Sequence, residues 1–357
     1  MRKTLLTLLL ACFLVPVCAQ EEDVLILIEQ AKNGDREAQK IVGASLIAEK
    51  DYEEGLRWSR LAANQGDVEA QYNIGYCYYF GLGVEKDYSQ AIEWFIPAAE
   101  KGISNAQFYL GKCYINGLGV NQDYSEAVKW FTKAAEQGDA DAQYILATCY
   151  EFGDGVKQDY KKAAKWYRKA ADQGDVDAQY KLGVFYNKGT GVSADADKSL
   201  DWFFKAAKNG DAESQFIISQ CFEEGISYPG EYDYDWEEWE EIVMVPKDLK
   251  SAIYWCRQAA LGGHAKAQSK MGYYYYTGTG LPTNYQQAFF WFYKAAEQGD
   301  SFAQFTVGSS YLNGQGVEKD KKKAQYWLEK ALHNGEDPLD PEYGQTAFFL
   351  LNQLRGF

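Results

Sequence analysis

The sequence predicts an all-α fold, an α/α superhelical solenoid of helix-turn-helix repeats with a period of 36 residues. Glycines that would end successive repeats recur at this period, at Gly66, Gly102, Gly138, Gly174, Gly210, Gly263, Gly299 and Gly335. The step from Gly210 to Gly263 is longer and corresponds to one period with an insertion of 17 residues. A tryptophan recurs with the same spacing, at Trp94, Trp130, Trp166, Trp202, Trp255, Trp291 and Trp327. Two short helices cannot bury their apolar faces alone, so the repeats must stack.

Residues 139–174 illustrate the pattern that predicts two helices in each repeat. Asp139 and Asp159 are candidate N-caps, because a carboxylate accepts hydrogen bonds from the free NH groups at a helix start. Apolar residues follow each of them three and four positions apart, which is the helical period. Gly153 and Gly155 separate the two runs, since glycine takes left-handed backbone angles at no steric cost.

Another glycine lies within the first helix of five repeats, at Gly75, Gly111, Gly183, Gly272 and Gly308. Glycine inside a helix costs roughly 1 kcal/mol relative to alanine. Its recurrence therefore predicts a close approach of the second helix that a side chain would block.

The period divides the chain into four segments. Residues 1–19 have the composition of a signal peptide, with Arg2 and Lys3 before an apolar run and cleavage before Gln20. Residues 20–65 are expected to form a degenerate capping repeat, and residues 66–335 seven repeats with an acidic, aromatic insertion at about 226–246. Residues 336–357 predict a C-terminal capping helix.

The signal peptide predicts an exported protein in the periplasm or at the cell surface. Cys18 suggests a lipoprotein as the alternative, although Val17 stands where a small residue usually precedes a lipid-modified cysteine. No other apolar run is long enough to cross a bilayer, so no integral membrane segment is expected after cleavage.

Composition excludes several classes of function. The net charge is −15, from 36 basic and 51 acidic residues, which disfavours nucleic acid because phosphate binding needs a basic face. The longest basic run, Lys321 to Lys323, is typical of the solvated start of a helix. The chain has two histidines and no phosphate-binding loop, nucleophile motif or metal-ligand motif. We therefore expect no enzymatic activity, no cofactor and no metal.

Five cysteines remain after signal cleavage, four of them in one repeat column: Cys77, Cys113, Cys149 and Cys221. Stacked helices lie about 8–10 Å apart, whereas a disulfide needs Cα atoms within about 7 Å. We expect buried, unpaired thiols. Cys221 with Cys256 is the one pair within a repeat that could form a disulfide.

The repeated pattern is Ala-x-x-x-Leu-Gly-x-x-Tyr-x-x-Gly-x-Gly-Val-x-x-Asp-Tyr-x-x-Ala-x-x-Trp-x-x-Lys-Ala-Ala-x-x-Gly. It resembles the Sel-1-like repeat, a relative of the tetratricopeptide repeat, and occurs with single departures in residues 68–102, 104–138, 140–174, 176–210 and 302–335. Leu281 and Asn284 depart from it, and the first repeat lacks the Gly-x-Gly turn. The resemblance implies a non-enzymatic scaffold or adaptor that binds a protein or peptide partner on the concave face lined by the first helices.

Partner-binding candidates come from positions that vary between repeats. By analogy with tetratricopeptide geometry, the column after the mid-helix glycine should face the groove: Tyr76, Lys112, Thr148, Val184, Gln220, Tyr273 and Ser309. One turn later lie further candidates, namely Tyr79, Phe80, Asn116, Glu151, Phe152, Asn187 and Lys188. Aromatic and polar side chains together suit a peptide or a glycan. Packing between neighbouring helices is the other explanation for the aromatic ones.

The insertion is the segment least typical of a repeat. Its aromatic residues, Tyr232, Tyr234, Trp236 and Trp239, lie among seven acidic residues between positions 231 and 241. It predicts a solvated hairpin or loop, or a contact with a separate partner. The glycine of a helix–loop–helix calcium site is missing. Aromatic residues in the groove or the insertion leave a glycan-binding module as the alternative function.

Overall fold

The structure is a computed structural model that describes residues 21–233, 238–334 and 341–355. The predicted signal peptide with Cys18 lies outside these residues, as does the predicted cleavage site before Gln20. Tyr234 and Trp236 of the insertion also lie outside them. Within the described part of the chain, no helix is long and apolar enough to cross a membrane.

The described residues form eighteen α-helices and two strands. The first twelve helices are α1 (Glu21–Lys32), α2 (Arg36–Ala48), α3 (Tyr52–Asn64), α4 (Val68–Phe80), α5 (Tyr88–Glu100), α6 (Ser104–Asn116), α7 (Tyr124–Glu136), α8 (Ala140–Phe152), α9 (Tyr160–Asp172), α10 (Val176–Lys188), α11 (Ala196–Lys208) and α12 (Ala212–Glu224). The strands β1 (Ile226–Asp233) and β2 (Glu238–Val245) precede α13 (Leu249–Leu261), α14 (Ala265–Thr277), α15 (Tyr285–Glu297), α16 (Ser301–Asn313), α17 (Lys321–Asn334) and α18 (Pro341–Arg355). Each even-numbered helix from α2 to α16 is the first helix of a repeat, and it packs against the second helix that follows it. The predicted all-α repeat architecture is confirmed.

The helices group into two compact bodies. The N-terminal body comprises Met1–Asp175 with Thr190–Val192, and the C-terminal body comprises Val176–Gly189 with Ser193–Phe357. Within each body, a second helix also packs against the first helix of the next repeat. The core of each body is thus formed at these helix junctions, for example by Phe131, Leu146 and Cys149.

Side-chain caps begin the helices where aspartates were expected. The Asp139 carboxylate accepts a hydrogen bond from the Ala142 NH at 2.7 Å, and Asp159 accepts one from the Lys162 NH at 3.0 Å. Asn284, which departs from the repeat pattern, caps α15 in the same way, accepting from the Gln287 NH at 3.0 Å. The substitution therefore preserves the cap, because an amide oxygen accepts the same hydrogen bond.

The mid-helix glycines mark the closest approach of the two helices in a repeat, as predicted. A Cβ on Gly111 would lie 2.8 Å from Cε1 of Phe131, and one on Gly272 would lie 2.7 Å from Cδ1 of Phe292. Atoms that close overlap, so the absent side chain makes room for the ring. The ring itself is fully buried.

The Gly-x-Gly turns join one repeat to the preceding one. Gly117 ends α6 with φ of 65°, and Gly119 follows with φ of 71°. A Cβ on Gly119 would lie 2.6 Å from the backbone carbonyl carbon of Tyr88, at the start of α5. Two features thus favour glycine at position 119. Its backbone is left-handed, and a side chain there would overlap the backbone of the preceding repeat.

A buried glutamine joins three helices in most repeats. Gln107 in α6 donates from Nε2 to the Ala99 carbonyl at 2.9 Å, at the end of the preceding second helix. Its Oε1 accepts from Gln137, at the end of its own second helix, at 2.7 Å. The equivalent amide–amide pairs are Gln65–Gln39, Gln173–Gln143, Asn209–Gln179 and Gln298–Gln268. The recurring Ala-Gln dipeptide is the sequence pattern that indicates this junction, which was not among the predictions from the sequence.

Two repeats lack the second half of this junction, and among the described residues the Gln71 amide also lacks the bond to the preceding second helix that Gln215 retains. Lys101 and Gly262 stand where the other repeats have the partner amide. The Oε1 atoms of Gln71 and Gln215 are accordingly buried without a hydrogen-bond partner. A buried polar atom left in this state costs about 1–3 kcal/mol.

The insertion is an antiparallel hairpin, one of the alternatives that the sequence allowed. β1 pairs with β2 from Ile226 opposite Val245 to Asp233 opposite Glu238, with irregularities after Ile226 and after Pro229. It replaces the Gly-x-Gly turn between α12 and α13.

The five described cysteines are unpaired, as predicted, and Cys221 does not bond to Cys256. Burial raises the pKa of Cys77 to about 11 and that of Cys113 to about 12. Such thiols stay protonated at neutral pH, which makes them packing groups of low reactivity.

Terminal helices cover both ends of the array. Val24 and Ala31 of α1 are buried against Val42 in α2. At the other end Ala347 and Leu351 of α18 are buried against the last repeat. Helix α18 lies within residues 336–357, the segment for which a C-terminal capping helix is predicted.

Substituting Gly111 with valine should lower the free energy of unfolding by about 1–3 kcal/mol, because the added atoms overlap the Phe131 ring. Urea unfolding followed by circular dichroism measures the change. Asn105→Val, at an exposed position in the same helix, controls for the helix propensity of valine. Equal effects at both positions would contradict the close-contact explanation.

Substituting Lys101 with glutamine should supply the missing partner of Gln71. We expect the free energy of unfolding of Lys101→Gln to exceed that of Lys101→Met by about 1 kcal/mol, because this is the usual net contribution of a hydrogen bond. The methionine variant removes the same charge without an amide. If the two variants unfold at the same urea concentration, Gln71 does not gain a partner from position 101.

Candidate functional site

In the N-terminal body, the predicted residues of α4 surround one tyrosine of α6. The ring centroids of Tyr76 and Phe80 lie 5.7 and 5.8 Å from that of Tyr109, both edge to face. Phe80 remains 43% exposed, and Tyr76 is half-buried. These two rings are anchored by packing and still present a surface.

Tyr79 does not belong to that surface. Its side chain is 8% exposed, and its ring packs 5.1 Å from those of Tyr88 and Tyr109. Burial is the main cause that raises the pKa of Tyr79 to about 12. The prediction for Tyr79 is wrong because its position on α4 turns toward α5, where the ring fills the interior.

Thr148 and Glu151 are occupied inside the chain. The Tyr167 hydroxyl donates to the Glu151 carboxylate and lies 3.2 Å from Thr148 Oγ1. Burial and the Glu151 hydrogen bond raise the pKa of Tyr167. This repeat has Ala147 in place of the mid-helix glycine and Tyr167 in place of the usual phenylalanine. Thr148 and Glu151 therefore act as hydrogen-bond partners of the Tyr167 hydroxyl.

The remaining candidates of the N-terminal body are more open. Phe152 is 60% exposed at the end of α8, and Asn116 is exposed at the end of α6. Asn116 donates to the Lys112 carbonyl at 3.0 Å. The Lys112 ammonium lies 5.5 Å from the centre of the Phe108 ring. Lys112 is therefore partly engaged, whereas Phe152 is the most exposed candidate ring of this body.

In the C-terminal body, Tyr273 lines an open cleft of about 640 Å³. The cleft is formed by the first helices α12 and α14, the turn after α14 and the start of α16. Its walls are Phe216, Gln220, Glu223, Lys266, Ser269, Lys270, Tyr273, Thr279, Asp300 and Phe302. Gln220 and Tyr273 belong to the column that the sequence singled out, and the fold brings them to one site.

Charged groups of both signs line this cleft. Lys270 Nζ forms an ion pair with Glu223 at 2.8 Å and lies 5.9 Å from the centre of the Tyr273 ring. Ser269 Oγ donates to Asp300 at 3.2 Å. Lys266 is exposed at the rim. The cleft thus combines aromatic area with hydrogen-bonding groups that are already oriented, which suits binding more than chemistry.

Asn187 and Lys188 are exposed at the end of α10 and do not line the cleft. In the insertion, Tyr232 lies opposite Trp239 in the strand register. Among the described residues, no three potential metal-ligating side chains lie together.

Two kinds of aromatic residue at the surface were not among the candidates predicted from the sequence. Phe216 lies one helical turn before Gln220, outside the candidate column, and Phe302 lies at the start of α16, yet both line the cleft. On the second helices of the C-terminal body, the residues before three of the repeated tryptophans are also exposed: Tyr254, Phe290 and Tyr326. Comparing the position before each tryptophan across repeats would have found them.

Comparison with known proteins agrees with this architecture. The Sel1 repeat model matches residues 43–67, 68–103, 104–139, 140–175, 176–211, 241–264, 265–300 and 301–336. The first match begins within the predicted degenerate repeat, and the sixth begins within the last residues of the insertion. No curated protein matches the chain significantly.

Two solved structures are similar over most of the chain. A Sel1 repeat protein from Oxalobacter formigenes is 30% identical with a TM-score of 0.66, and the match covers 99% of this chain and 94% of that one. A protective antigen present in uropathogenic Escherichia coli strains, which displays an SLR fold, is 29% identical with a TM-score of 0.63. That match covers 87% of this chain and 71% of the antigen. Sel1 repeat proteins generally mediate protein–protein interactions and are typically non-enzymatic scaffolds. The chain belongs to the Sel1 repeat family.

Proposed function

We propose that this protein is a non-enzymatic scaffold that binds a protein or peptide partner through its first helices. The observation that carries the proposal is the cleft of the C-terminal body, which three consecutive first helices form around Tyr273. Membership of a family that generally mediates protein–protein interactions supports it.

The chemistry of the cleft favours a polypeptide ligand. Phe216, Tyr273 and Phe302 provide aromatic area, which dominates the energy of many interfaces. Glu223, Lys270 and the other polar groups would fix the orientation of a bound backbone. The mixture of charges is typical of protein recognition sites.

A second contact surface is proposed in the N-terminal body. It consists of Tyr76, Phe80, Lys112, Asn116 and Phe152, with Phe80 and Phe152 the most exposed aromatic members. These positions vary in residue type from repeat to repeat, so they are available to recognise a partner. Asn187 and Lys188 remain candidates in the C-terminal body.

The proposed setting is the cell envelope or surface. This part rests on the basic start and apolar run of residues 1–19, which have the composition of an export signal. The partner would then be another exported or envelope protein.

Glycan binding is the alternative function. The observation that favours glycan binding is that the cleft has aromatic rings next to Gln220, Ser269 and Glu223. These three side chains can form hydrogen bonds with sugar hydroxyls. Tyr232 and Trp239 of the insertion stay candidates for glycan binding on the sequence alone.

Cross-linking and affinity capture from an envelope fraction should recover a defined protein, whose binding is then measured by calorimetry with purified components. Tyr273→Ala together with Gln220→Ala should weaken that binding about tenfold or more, because the ring is the exposed aromatic side chain of the cleft. Circular dichroism should be unchanged, since both residues lie at the surface.

Tyr254→Ala is the matched control, because Tyr254 is 56% exposed on a second helix of the same body. Loss of binding with Tyr254→Ala but not with the cleft variant would assign recognition to the second helices. Failure to capture a protein, with soluble glycans quenching tryptophan fluorescence and raising the melting temperature, would favour the glycan-binding alternative.

A further inference from the structure

Helix α9 carries an exposed cluster of positive charge in a chain whose net charge is −15. Its basic residues are Lys161, Lys162, Lys165, Arg168 and Lys169, and Lys157 precedes it. The side chains of all six are exposed. The only acidic residue within the helix is Asp172, in its last turn.

Three of these lysines keep their charge unpaired among the described residues. Lys162 lies 3.9 Å from Asp159, and the Lys169 ammonium lies 4.1 Å from the centre of the Trp166 ring. Lys157, Lys161 and Lys165 form no ion pair in the part of the chain that the structure describes. In α7, by comparison, Lys129 pairs with Glu126 at 2.7 Å.

The basic side chains lie in a regular row along the helix. Lys161, Lys165 and Lys169 are four residues apart, so successive members are about 6 Å apart along the axis. In an extended polypeptide, side chains on one face recur about every 6.6 Å. A strand with acidic residues at alternate positions would therefore place its carboxylates opposite this row.

A cleft of about 530 Å³ lies at the start of the same row. Lys157, Tyr160, Lys161 and Gly191 are among the residues that line it. Tyr160 is 42% exposed, and its hydroxyl accepts a hydrogen bond from Gln158 at 3.0 Å. The exposed ring offers an apolar contact beside the positive charges.

We propose that the α9 surface, made of Lys157, Tyr160, Lys161, Lys165 and Lys169, binds an extended acidic segment of a partner protein. This surface lies on a second helix, so it is distinct from the first-helix site proposed above. A narrow acidic strand fits because the positive row is only about 12 Å long. A nucleic-acid duplex or an anionic membrane is wider than this row, and it would also meet the negative charge of a chain whose net charge is −15.

The probe is a short fluorescein-labelled peptide of alternating glutamate and threonine, titrated with the protein and followed by anisotropy. We expect saturable binding that weakens as salt rises, because the contacts are exposed ion pairs. Lys161→Gln together with Lys165→Gln should weaken binding roughly three- to tenfold. Tyr273→Ala should leave it unchanged, which separates this proposal from the first-helix site.

The matched control is Lys321→Gln with Lys322→Gln, which removes the same charge from the exposed start of α17. This control should bind the peptide as the unaltered protein does, and circular dichroism checks that both variants fold. The proposal is overturned if the glutamate peptide does not bind at low salt, or if a glutamine–threonine peptide binds equally. It is also overturned if the control variant loses as much affinity, or if duplex DNA or anionic phosphatidylglycerol vesicles bind more tightly than the peptide.

Discussion

The contact between a residue lacking a side chain and an aromatic ring sets the distance between the two helices of a repeat. Gly75, Gly111, Gly183 and Gly272 each leave a space that a phenylalanine of the second helix fills. This contact determines the spacing of the two helices. The tyrosine rings, the alanines and the buried cysteines pack around it at that spacing. Where Ala147 replaces the glycine, the opposing ring is Tyr167 and its hydroxyl requires polar partners, which Thr148 and Glu151 supply. A small change at the contact thus engages two otherwise variable positions in hydrogen bonds within the chain.

A buried amide network then relates each repeat to its neighbour. The Gln107 side chain bonds at once to the end of the preceding second helix and to the end of its own. A buried amide with both its donor and its acceptor satisfied is directional, so it specifies the register between repeats more sharply than apolar packing does. The unsatisfied Oε1 atoms at Gln71 and Gln215 identify two junctions with fewer directional bonds than the others have. The second of these is in the repeat that carries the hairpin.

Because the interior is nearly the same in every repeat, recognition has to come from positions that the interior does not use. In the C-terminal body these positions form a cleft with aromatic walls and paired charges around Tyr273. In the N-terminal body they include exposed rings on the first helices and a row of lysines on α9. The two surfaces proposed for binding therefore differ in chemistry, since one is mainly aromatic and the other mainly basic.

The repeat architecture was determined by the sequence alone, because a fixed period of glycine, tryptophan and capping aspartate leaves little freedom in how helices of 13 residues can stack. The unpaired cysteines and the close helix contact followed from the same period. Which variable residues reach the surface was decided only by the tertiary structure. Tyr79 and Phe80 are neighbours in sequence, yet one is 8% and the other 43% exposed, because adjacent helix positions point about 100° apart. Phe216, Tyr273 and Phe302 meet in one cleft because helices of three repeats converge there, and a one-dimensional pattern does not contain that convergence.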